Sequence, residues 1–128
     1  MNNMVEKIGR ILESVEDEKR PLKFAALIER DDNLGRFDLT IAADWIKNDK
    51  EFLDYLIPKL TRILSDEDIT RLSRVVVLNP KGAFIKDFSQ YMHNGHNSEI
   101  RDMSIGGIYL RYAHIFSVAS KHTIQNLV

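Results

Sequence analysis

The chain has 128 residues, 44% of them hydrophobic, and its 18 Lys and Arg nearly balance 19 Asp and Glu. This length and composition are typical of one globular domain. The balanced charge argues against broad electrostatic binding of nucleic acid, and the sequence contains no apolar run long enough to cross a membrane. Cysteine is absent, which excludes disulfides and thiolate chemistry. With no secretory signal evident at the N-terminus, we expect a single soluble, cytoplasmic domain over residues 1–128.

The N-terminal segment carries apolar residues at helical spacing, with charged residues mostly on the other side. This pattern predicts an amphipathic helix whose narrow apolar stripe packs against the rest of the domain. Pro21 disfavours a helical conformation at Arg20, so the helix is expected to end before that residue. The stripe consists of Val5, Ile8, Ile11, Leu12 and Val15.

The stretch from Leu22 to Ile46 is the feature around which the domain is expected to form. Apolar and polar residues alternate along the second half of it, and the first half is apolar on one face and half polar on the other. Residues 31–35 between the two halves include Asp, Asn and Gly, which favour turns. The sequence therefore predicts an antiparallel hairpin.

Capped helical segments and an apolar strand follow the hairpin. Asn48 and Ser65 occupy predicted N-cap positions, and Pro58 either kinks the helix that follows Asn48 or divides it into two. The β-branched, apolar run 75–78 predicts a strand that is central in the sheet and covered on both faces. The helical connection favours parallel pairing of this strand with the hairpin.

The rest of the chain predicts one more helix and a second hairpin. Asn79-Pro80 suits the start of the helix, and Gly106-Gly107 suits a tight turn between strands at 100–105 and 108–119. Alternation along the last strand places its even-numbered residues on one face. The predicted fold is α+β, of order α-ββ-αα-β-α-ββ. Helices pack on a mixed, largely antiparallel sheet of about five strands, formed by two hairpins and one central strand.

The tip of the first hairpin is rich in carboxylates that could bind Mg²⁺ and support a small metal-dependent hydrolase or nuclease. The competing interpretation is local turn chemistry, with Arg30 and Arg36 balancing the acids. No lysine follows in the second strand, so the carboxylate-x-lysine signature of one nuclease fold is missing. The metal enzyme is therefore the alternative prediction. Its candidate ligands are Glu29, Asp31, Asp32 and Asp38.

Three histidines are candidate catalytic or metal-ligating residues. His93 and His96 flank a glycine and could bind zinc or act as an acid–base pair, although solvated loop histidines explain the same pattern. His114 lies among apolar neighbours, which favours a buried histidine hydrogen-bonded to a tyrosine, an aspartate or a backbone carbonyl over a catalytic one.

Binding or self-assembly is the favoured function, ahead of catalysis, and no cofactor is expected. The last predicted strand exceeds the usual length of about 5–6 residues, so part of it could pair with a second copy of the chain. We therefore expect a homodimer or a domain that binds another protein. The aromatic candidates for a contact surface are Phe37, Trp45, Tyr109 and Tyr112, of which Phe37 and Tyr112 suit a buried position at least as well.

Overall fold

Helices and a five-stranded sheet form the part of the chain described by the computed structural model, residues 2–89 and 98–116. Their order matches the predicted α-ββ-αα-β-α-ββ sequence, which confirms the α+β class. In chain order the elements are α1 (Asn2–Glu18), β1 (Phe24–Arg30), β2 (Phe37–Ala42), α2 (Asp49–Ile63), α3 (Asp66–Arg71), β3 (Leu72–Val77), α4 (Ala83–Ser89), β4 (Ser98–Ile105) and β5 (Ile108–Ile115).

The sheet is mixed and largely antiparallel, as predicted, with strand order β3-β2-β1-β5-β4. β1 pairs antiparallel with β2 and β5, and β4 pairs antiparallel with β5. Only the pair β2–β3 is parallel within the described residues, as the helical connection predicted. The prediction that the apolar strand is central was wrong, because β3 lies at an edge and β1 occupies the middle.

Apolar side chains cover both faces of the sheet. On one face, α1 and α2 pack over β1 and β2 and bury the predicted α1 stripe. On the other face, α4 contributes Ile85 and Phe88 to a second core with residues of β1, β4 and β5. Period-two alternation along β1 explains this division, because Ala25 and Leu27 face α1 while Phe24 and Ala26 face α4.

The helix ends follow local sequence signals. The side chain of Asn48 accepts a hydrogen bond from the Glu51 amide (3.0 Å), and Ser65 and Asp68 form a reciprocal capping box. α2 continues through Pro58 as one helix.

The predicted start of α4 at Asn79-Pro80 was wrong. The Asn79 side chain accepts from the Lys81 amide and its carbonyl accepts from the Gly82 amide, both at 2.9 Å, so these residues form a turn before the helix.

The second hairpin forms around the predicted turn, where Gly106 and Gly107 have φ angles of +60° and +81°. The prediction that all even-numbered residues of β5 share a face was wrong. Leu110 belongs to the core under α4, whereas Tyr112 belongs to the core under α1. The register between β1 and β5 shifts at this point, and a one-residue shift moves the following side chains to the opposite face.

Candidate functional site

The carboxylates at the tip of the first hairpin are each bound to groups of the chain itself. Glu29 accepts a hydrogen bond from the Gly35 amide at 2.7 Å, which closes the turn. Asp32 lies 3.4 Å from Arg30, and Asp31 lies 3.8 Å from Arg111 of the neighbouring hairpin. Within residues 2–89 and 98–116, no three His, Asp or Glu side chains converge as a metal site requires. Among the described residues, the hairpin tip therefore does not bring together the set of ligands that the alternative prediction of a metal site requires.

Asp38 is buried and joins three strands. One carboxylate oxygen accepts a hydrogen bond from Arg30 Nε on β1 at 3.1 Å and forms an ion pair with Arg74 Nε on β3 at 3.3 Å. The other oxygen has no hydrogen-bond partner among the described residues. Both arginine side chains remain partly exposed, 28% for Arg30 and 56% for Arg74. Asp38 therefore links the edge strand β3 to the interior of the sheet.

Of the predicted histidines, the structure describes only His114, because His93 and His96 lie outside the described residues. His114 is buried, and its ring meets that of Phe116 edge-on, with centroids 4.7 Å apart. Burial lowers the pKa of His114, and the nearby Glu99 opposes this shift only in part. The predicted hydrogen bond is missing at Nε2, which has no partner within the described chain.

Two of the four aromatic candidates lie in the core. Phe37 and Tyr112 are 4% and 6% exposed, and their rings meet edge-on with centroids 6.2 Å apart. The Tyr112 hydroxyl donates to Glu99 at 2.7 Å, and burial together with this bond raises the pKa of Tyr112. Arg101 covers the outer side of the ring at 4.8 Å. These contacts leave neither residue available as the centre of a contact surface.

The other two aromatic candidates are accessible but lie at opposite ends of the sheet. Trp45 is half-buried, packs edge-on against Phe52 and donates its indole N–H to the carbonyl of Pro21 at 2.9 Å. Tyr109 follows the turn of the second hairpin, is 41% exposed and donates its hydroxyl to Asp102 at 3.0 Å. The structure therefore does not bring the predicted aromatic residues together into one surface.

The outer edge of β3 is the strongest candidate for a contact surface. Among the described strands, β3 pairs only with β2, although Val75, Val76 and Val77 make it strongly apolar. These valines are half-buried, and Arg74 is the one charged residue of the strand. An exposed apolar edge with few charges is the kind that other strands pair with.

The backbone geometry shows which amides this edge presents. The Leu78 amide donates to the carbonyl of Ile41 on β2 at 2.8 Å. Because peptide groups alternate sides along a strand, Val76 also directs its amide toward β2. Val75 and Val77 therefore direct their N–H and C=O groups away from the sheet.

The chain matches no protein-family model, no curated protein and no solved structure. No helix in the described part of the chain has the length and apolar character needed to cross a bilayer.

Proposed function

We propose that this chain is a cytoplasmic self-assembly module that forms a homodimer by antiparallel pairing of β3 with β3 of a second copy. The observation that carries the proposal is the apolar strand at the sheet edge, where two valines direct outward backbone groups that have no partner among the described residues. Pairing about a two-fold axis would satisfy those groups and extend the sheet from five strands to ten.

Charge is compatible with this contact. With the two-fold axis at Val75, antiparallel register sets Arg74 of one chain opposite Val76 of the other, so the two arginines do not face each other. Arg74 is also bound to Asp38 within its own chain at 3.3 Å. Like charges directly opposite one another destabilise strand pairs, and this register avoids them.

The proposed dimer contact lies on a different strand from the predicted one. The sequence suggested that the last strand would overhang the sheet and pair with a second copy. Along residues 108–115, β5 instead lies between β1 and β4 and is paired on both sides. The last residues of the predicted strand, 117–119, lie outside the described residues.

Sedimentation equilibrium over a range of concentrations tests the assembly. We expect the wild type to reach twice the chain mass of 14.8 kDa. Val75→Pro removes an outward N–H without removing a bond to β2, so it should give a folded monomer. Val75→Ala keeps the N–H and is the matched control that should still dimerise.

Circular dichroism establishes that each variant is folded before its mass is interpreted. A wild type that is monomeric at every concentration would overturn the proposal, as would a folded Val75→Pro variant that is still a dimer. Fractionation of cells expressing the tagged chain tests the cytoplasmic location separately.

A further inference from the structure

A groove of about 330 Å³ runs between α1 and α2, on the face of the sheet that these helices cover. α1 contributes residues one helical turn apart, and α2 contributes residues from its last turns, so the two helices form opposite walls. The lining residues are Lys7, Arg10, Ile11, Ser14, Lys59, Arg62 and Ile63.

The groove is positively charged although the whole chain carries a formal net charge of -1. Four of its lining residues are basic, and no described residue that lines it is acidic. Lys7 pairs with Asp68 at 3.3 Å and Lys59 pairs with Glu18 at 2.7 Å. Those two carboxylates offset two of the four positive charges.

The two arginines have no such partners. Within the described residues, neither Arg10 nor Arg62 has an ion pair or a side-chain hydrogen bond. They lie in opposite walls of the groove and both are exposed. A guanidinium group binds phosphate and carboxylate oxygens with two parallel hydrogen bonds, so the pair is suited to an anion with several oxygens.

The wall next to Arg62 is held in place by contacts between Lys59 and α1. Lys59 donates to Ser14 Oγ at 3.1 Å as well as to Glu18, and its side chain is 19% exposed. Hydrogen bonds from Lys59 and, to a smaller extent, from Tyr55 lower the pKa of Glu18, so this carboxylate is ionised at neutral pH. A cation fixed in this way needs little reorganisation when an anion arrives.

The groove also has an apolar part. Ile11 is buried at its base, and Ile63 is 49% exposed at its side. The volume lies near the lower end of the range of roughly 300–1,000 Å³ for small-molecule sites. A ligand that uses the whole groove therefore combines a dianionic group with a small apolar body.

We propose that this groove binds a small organic phosphate, a phosphate monoester whose organic part is apolar. Arg10 and Arg62 hold the phosphate oxygens, Lys7 and Lys59 stay paired with Asp68 and Glu18, and the two isoleucines contact the organic part. The excess of two positive charges matches the dianion. The inference uses no residue of β3 and is independent of the proposed dimer.

Calorimetric titration of the full chain with phenyl phosphate tests the proposal. We expect saturable binding, one ligand per chain, that weakens as salt is raised. Arg10→Ala and Arg62→Ala should each weaken it roughly tenfold, since a hydrogen bond to a charged group is typically worth that much. Arg36→Ala removes the same charge from an exposed turn and should leave the affinity unchanged.

Two further ligands separate the charged and apolar contributions. Inorganic phosphate should bind more weakly than phenyl phosphate, and phenol should not bind. No saturation up to about 10 mM phenyl phosphate, or equal affinity in a folded Arg10→Ala/Arg62→Ala variant, would overturn the proposal. Equal affinity for inorganic and phenyl phosphate would overturn the assignment of an apolar ligand.

Discussion

Phe88 packs α4 against the sheet, and its truncation to alanine should cause the largest loss of folding stability that we predict. Its side chain is fully buried, with ring centroids 5.1 Å from Phe24 and 4.9 Å from Phe84. α4 has seven residues, and a helix of this length is not stable without tertiary contacts. Phe88→Ala should therefore destabilise both the core and the helix itself.

The magnitude follows from the buried area. A buried phenylalanine removes roughly 150–250 Å² from water, which at about 25 cal/mol per Å² corresponds to about 4–6 kcal/mol. Alanine retains part of that area, and the cavity left behind adds a cost of its own. Phe→Ala changes in protein cores accordingly cost about 3–5 kcal/mol. Since domains of this kind are stable by about 5–15 kcal/mol, the loss is a large fraction of the total.

Urea denaturation followed by fluorescence and circular dichroism measures this loss, and hydrogen exchange locates it. We expect a decrease of about 3–5 kcal/mol in the free energy of unfolding and early exchange of the α4 amides. Leu34→Ala is the control, because Leu34 lies in the first hairpin turn, is 56% exposed and should cost less than about 0.5 kcal/mol. A loss below about 1 kcal/mol for Phe88→Ala would refute the account of the second core.

Three further predictions concern caps, turns and pH. Ser65→Ala removes the acceptor of the Asp68 amide at 3.1 Å and should lower the free energy of unfolding by about 1 kcal/mol in urea. Gly106→Ala and Gly107→Ala both place a side chain at positive φ, but only at Gly106 would the new Cβ lie 3.0 Å from Phe84. The Gly106→Ala variant should therefore have the lower melting temperature, and equal melting temperatures would contradict this. As pH falls below 6.5, the unfolded chain takes up a proton at His114 before the folded chain does, so stability should decrease from pH 6.5 toward the lowered folded pKa. His114→Phe should flatten that decrease in stability between pH 6.5 and about 5, above the range in which most carboxylates titrate. If the variant loses stability with pH as steeply as the wild type does, other groups cause the decrease.

Features that depend on neighbours in sequence were predicted well. The α1 stripe, the N-caps at Asn48 and Ser65 and the turn at Gly106-Gly107 each rest on interactions within a few residues. The α4 start was misplaced because Asn79 can either cap a helix or close a turn, and both use the same side-chain oxygen.

Features that depend on distant contacts were not predictable in the same way. A continuous apolar strand is typical of the middle of a sheet, and no local signal placed β3 at the edge. The change of face between Leu110 and Tyr112 depends on the register between β1 and β5. Arg10 and Arg62 are 52 positions apart and share a groove only because α1 and α2 lie side by side.

Hydrogen exchange at the amides of Val75 and Val77 in the wild-type chain tests the proposed assembly most directly, because it needs no substitution. If β3 pairs with a second copy, both amides should be protected at high protein concentration and should exchange faster on dilution. The Val76 amide bonds within the sheet and should be protected at every concentration. Rapid exchange at Val75 and Val77 at all concentrations, with Val76 still protected, would contradict the proposed dimer.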